Sequence, residues 1–141
     1  FTEAPHRLDG TGSAATREAP HLLDLIDAAA QPLADRHERE ASELEERIKA
    51  YGERGSGKKQ LEERHKRELR RHRTDELRSG LAAMASTYRD TAVNGGTTDV
   101  DGCADAIRRI HAAIDALDRN PSEKLLLEAL FWSLPDAQGV G

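Results

Sequence analysis

Apolar residues recur at steps of three and four along most of this chain, and that rhythm predicts helices from one end to the other. Between His21 and Tyr51 the series Leu22, Ile26, Ala29, Leu33, His37, Ala41, Leu44, Ile48 and Tyr51 forms one stripe. Charges fill nearly every other position after Pro32. Two prolines interrupt the pattern. Pro20 suits a first helical turn, while Pro32 lacks an N–H and is expected to kink a longer helix. Gly12 or Ser13 is a candidate cap further upstream. A second charged segment carries Leu61, His65, Leu69, Leu77, Leu81, Met84 and Tyr88 at helical spacing. Each arm is apolar on one narrow side, and "GERGSG" joins them, so the two are expected to cover each other as an antiparallel helical hairpin projecting from a body.

The body needs further helices, and the pattern supplies two. After the break "NGGTT", the stretch "DVDGCADAIRRIHAAIDAL" predicts a helix capped by Asp99 or Asp101. Its expected inner face is Ala104, Ile107, Ile110, Ile114 and Leu117. In "RNPSEKLLLEALFWSLP", Asn120 reads as the cap, Pro121 as the first helical position and Glu123 as a capping-box acid. Leu125 to Leu134 is apolar on almost every side, which suits a helix buried in the body or against a partner. Pro135 stops it. No strand pattern and no repeat of fixed period is apparent. The expected fold class is all-α, a small helical bundle with a long charged antiparallel hairpin. The expected divisions are an irregular entry over 1–12, a helical domain over 13–135 and a loose tail over 136–141. Within the domain the hairpin spans about 33–78, and 13–32 with 79–135 form the body.

Composition supports helices over sheets: aromatics are 4% and charged residues 33% of 141 residues. The single Cys103 excludes an internal disulfide and a cysteine-based zinc cluster. No apolar run is long enough to span a membrane, so a cytoplasmic location is expected. Phe1 as first residue suggests a piece of a longer protein. The net charge of −5 is unevenly spread. Residues 1–57 carry 7 basic and 12 acidic side chains, 58–98 carry 10 and 6, and 99–141 carry 4 and 8.

The candidate chemistry is sparse. Gly52, Gly57 and Lys58 match the phosphate-binding pattern G-x-x-x-x-G-K-[ST] until Lys59 stands where the magnesium-holding hydroxyl belongs. A charged amphipathic helix precedes it, not a strand, so Gly52, Gly55 and Gly57 are expected to permit a change of direction between helices. The six histidines include no pair at the i, i+4 spacing of a helical zinc site. No metal or cofactor is expected. Cys103, near a helix start, has no base beside it, and core packing is its expected role. No nucleophile or acid–base pair names a reaction, so the chain is not expected to be an enzyme. Lys58, Lys59, Arg64, Lys66, Arg67, Arg70, Arg71 and Arg73 make a basic run that could meet nucleic acid. Interleaved acids and the lack of a flanking aromatic favour a solvated helix face instead.

Two stretches carry a resemblance. "GERGSGKKQLEERHKRELRRHRTDELRSGLAAMASTYRD", residues 52–90, resembles the C-terminal helical domain of actinobacterial delta-prime subunits of the DNA polymerase III clamp loader. "NPSEKLLLEALFWSLP", residues 120–135, is similar to the close of clamp-loader C-terminal domains. The resemblance implies a collar domain that holds subunits in a ring during DNA replication, with ATP contacts lying mainly elsewhere. It implies other clamp-loader subunits as partners, while the residues themselves predict no membrane and no metal. Leu126, Leu127, Leu130, Phe131 and Trp132 are the expected interface residues, since adjacent Phe131 and Trp132 point about 100° apart and one can face outward. Two rival readings remain: a basic helical nucleic-acid-binding module, and a self-associating coiled-coil hairpin.

Overall fold

The computed structural model describes residues 1–52 and 57–137, and among them the all-α expectation holds. Four α-helices follow in order: α1 (Gly12–Tyr51), α2 (Lys58–Val93), α3 (Val100–Ala116) and α4 (Glu123–Ser133). Single 3-10 turns precede α1 (Ala4–His6) and follow α3 (Leu117–Arg119). No strand occurs among the described residues. The chain forms two compact units, one of Phe1–Leu25 with Glu76–Gly141 and the other of Ile26–Asp75. Both α1 and α2 contribute to each unit.

In the first unit, the α2 stripe buries as its spacing predicts: Leu77, Leu81, Met84 and Tyr88 are all within 1% of full burial. Ile110 of α3 and Leu127 and Phe131 of α4 share this core at 0% exposure. Each such side chain removed from water contributes ~1.5–3 kcal/mol. The α3 face is turned by one residue from expectation. Cys103, Ala106, Ile110, Ala113 and Leu117 point inward, while Ala104, Ile107 and Ile114 are only half-buried. Small side chains flank Ile110 on this face, which suits the close packing of α3 on α4.

The caps also differ in part. Asp99 caps α3 by accepting from the Gly102 N–H at 2.8 Å. For α4, the cap is Ser122, whose hydroxyl accepts from Leu125 N–H at 3.5 Å. Asn120 instead takes a left-handed conformation, φ 52°, that closes the turn after α3. At the start of α1, Thr11 Oγ1 accepts from Ala14 N–H at 3.2 Å, so neither Gly12 nor Ser13 is the cap. Helix α1 runs 40 residues through both Pro20 and Pro32. Thr16 and Ala28, whose carbonyls those prolines leave without a helical donor, lie at exposed positions where water can replace the lost bond.

The entry and the tail are less irregular than their composition suggests. Ala4, Pro5 and Leu8 are buried, and Ala137 is 1% exposed with its N–H donating to the Pro5 carbonyl at 3.2 Å. Residues 138–141 lie outside the described part. Tyr88 ties α2 to the same region: its hydroxyl donates to the Pro135 carbonyl at 2.6 Å, and burial pushes its phenol pKa well up. The buried carboxylate Glu18 is met by Arg7 Nε at 3.0 Å, which spares the unit an unpaired interior charge.

Candidate functional site

Two surfaces carry the candidate residues, one in each unit. In the first unit, α4 divides its residues sharply. Leu127, Leu130 and Phe131 are 0–6% exposed and belong to the core, and Leu126 is half-buried. Trp132 is 64% exposed and Leu125 66%. Of the five residues expected at an interface, Trp132 is therefore the one that is mostly exposed. The indole lies beside Gly12, where a Cβ would meet the ring at 3.5 Å. Beside it runs a shallow groove lined by Gly10, Asp105, Ala106, Arg109, Leu134 and Pro135. A large exposed aromatic with an arginine on the same groove has the composition of a contact hot spot. Neighbouring Cys103 is buried, and that burial raises its thiol pKa, which argues against reactivity.

The second unit contains the charged hairpin, and here the structure exposes a relation that a search for a fixed period does not find. Residues 36–40 read Arg-His-Glu-Arg-Glu and residues 64–68 read Arg-His-Lys-Arg-Glu. The antiparallel pairing brings the two copies together. His37 and His65 stack with ring centroids 3.9 Å apart and planes 13° from parallel. The His37 Nε2–H donates to Glu68 at 3.1 Å, and the His65 Nε2–H donates to Glu40 at 3.1 Å. Arg36 donates to Glu68 at 2.9 Å, and Arg64 donates to Glu40 at 2.9 Å. Within each arm Arg36 faces Glu40, and Arg64 faces Glu68, both at 3.5 Å. Each contact of this motif has its twin on the other arm, so the motif has a local two-fold relation about the imidazole stack. The histidine hydrogen bonds are the main cause holding both glutamates below the usual carboxylate range, with the arginines adding to it.

This arrangement sets register. Sliding one arm by a helical turn would break the stack and every cross-arm ion pair at once. Nearer the base of the hairpin, Arg73 pairs with Asp27. His72 Nε2 is buried with no hydrogen-bond partner among the described residues. Leu33 and Leu69, on the base side of the stack, are half-buried; towards the tip Leu44, Ile48 and Leu61 are half-buried and Ala41 and Tyr51 exposed. Residues 53–56, including Gly55 of the expected turn and the four variable positions of the near-match to a phosphate loop, lie outside the described part. On either side, Gly52 (φ 66°) and Gly57 (φ 89°) take left-handed conformations, and the residues preceding Gly52 are helical. A phosphate loop follows a strand, which is absent from this position.

Among the described residues no group of three or more His, Cys, Asp or Glu side chains is arranged to hold a metal ion, and no helix is long and apolar enough to cross a membrane. A scan of protein-family models matches none, and searches of curated proteins and of solved structures return no match.

Proposed function

We propose that this chain is a non-catalytic assembly module of the collar type, serving as the C-terminal helical domain of a clamp-loader delta-prime subunit in cytoplasmic DNA replication. The observation that carries this reading is Trp132. Helix α4 commits Leu127, Leu130 and Phe131 to the core, yet it presents its largest side chain outward at 64% exposure beside an open groove. An isolated domain gains little from that placement, whereas a partner subunit covering the indole would bury it. The resemblance of residues 52–90 and 120–135 to clamp-loader C-terminal domains supports the choice of partner. The all-α build is compatible with a collar, and the self-registering hairpin suits a rigid arm in an assembly.

The test is co-elution in size-exclusion chromatography with the helical domains of the other clamp-loader subunits. A mixed complex formed by the natural chain and lost in Trp132→Ala supports the proposal. Separate elution at all concentrations removes it.

A further inference from the structure

The second unit also sorts the basic run into two groups with different roles. Arg64 is engaged at the seam with Glu40 and Glu68, Arg73 pairs with Asp27, and Arg71 reaches Asp75 at 4.0 Å. Lys59, Lys66, Arg67 and Arg70 are exposed and form no ion pair among the described residues. At ~100° per residue, Lys59, Lys66 and Arg70 fall within ~40° of one another on α2, with Arg67 ~60° further round. This face lies opposite the seam formed by Leu61, His65 and Glu68. Along the helix axis the steps are ~10 Å from Lys59 to Lys66 and ~6 Å from Lys66 to Arg70.

We infer that this outer face of α2 contacts the phosphate backbone of a nucleic-acid duplex. The chemistry of the face decides between a polyanion and a protein partner. Its remaining positions, Glu63 and Thr74, are polar, and it contains no apolar or aromatic residue. Protein interfaces are depleted in lysine and depend on aromatic and apolar anchors at their centre. Backbone contact needs only extended cations at intervals, and it reads no sequence. The lack of an aromatic also excludes base stacking on this face, which turns the inference towards duplex rather than single strands. The opposite side of the hairpin bears Asp35, Glu38, Glu43 and Glu46 on α1. Those acids repel phosphate, so contact is restricted to the α2 side. This inference goes beyond the assembly role and is independent of which subunits the first unit meets.

The experiment is fluorescence anisotropy of a labelled ~20-base-pair duplex of arbitrary sequence, titrated with the 141-residue chain at several salt concentrations. Four phosphate contacts predict a slope of log affinity against log salt of about −3.6, which is about a hundredfold loss between ~50 and ~200 mM salt. Neutralising the face with K59Q, K66Q, R67Q and R70Q together is expected to abolish binding. The four positions are exposed and glutamine is a good helix former, so unchanged circular dichroism verifies the fold. Glu63→Gln, which removes the one acid on the face, is expected to tighten binding several-fold, and Arg39→Gln on α1 to leave it unchanged. No anisotropy change at ~50 mM salt, or equal binding by the neutralised variant, overturns the inference. Loss of an acidic protein partner in that variant, without duplex binding by the natural chain, overturns it too. Duplex binding by a chain that meets no clamp-loader subunit supports it and counts against the assembly proposal alone.

Discussion

Adjacent residues Phe131 and Trp132 offer a direct test of how α4 divides its work. Phe131 is fully buried and Trp132 is 64% exposed. Truncating a buried phenylalanine to alanine costs ~3–5 kcal/mol, through lost transfer energy and the cavity left behind. For Trp132, a side chain able to bury ~250 Å² keeps a little over a third covered, ~90 Å², worth at most ~2 kcal/mol at ~25 cal/mol per Å². Alanine is also the better helix former, which returns a few tenths of a kcal/mol. With a urea slope of ~2 kcal/mol per molar, Phe131→Ala should lower the unfolding midpoint by ~2 M and Trp132→Ala by less than ~1 M. Far-UV circular dichroism is the appropriate probe, because the second variant removes the only tryptophan. Equal losses in the two variants would refute the reasoning, since Trp132 would then be a core residue with nothing to offer a partner.

The hairpin yields three further expectations. A double-mutant cycle on Glu40 and Arg64, with each residue changed to alanine, should give a small favourable coupling, as befits a solvent-screened pair 2.9 Å apart; a coupling of zero would show that the network does not fix register. His72→Leu should stabilise the second unit by ~1–2 kcal/mol in a denaturant titration, because it removes a buried nitrogen without a partner and places leucine where the other arm has Leu44. Acid should weaken the seam. Glu40 and Glu68 are held below the ordinary glutamate value of 4.5, so their stabilisation is present above that value and lost as pH falls through their folded values. Helicity followed down to about pH 2 should fall more steeply in the natural chain than in a Glu40→Gln, Glu68→Gln double variant, and identical profiles would contradict the assignment.

Much of this fold is legible in the spacing of large residues, and the departures have physical causes. The α2 stripe from Leu77 to Tyr88 is legible because large apolar residues there alternate with polar ones at helical intervals. The α3 face is offset because isoleucine marks burial in a pattern, whereas close helix packing selects Cys103, Ala106 and Ala113. The N-terminal turn is hidden because Ala4, Pro5 and Leu8 are too few to show a period, and their burial depends on distant partners such as Ala137. Proline marks an interruption, yet α1 continues through Pro20 and Pro32 because tertiary packing outweighs the loss of one hydrogen bond at each. The doubled Arg-His-x-Arg-Glu motif is present in the sequence, but only the antiparallel pairing shows that the two copies face each other. Exposure of Trp132, in contrast to Phe131, depends on which side of α4 meets α3, and ten nearly continuous apolar positions do not reveal that.

In the proposed assembly role, the first unit presents α4 to other subunits. Light scattering after size exclusion measures it most directly, with this chain alone and then mixed with the other clamp-loader helical domains, each with and without Trp132→Ala. The expected result is a mixed complex of defined mass that the natural chain forms and the variant does not. A chain that elutes unchanged beside those partners, or a complex indifferent to Trp132, would contradict it.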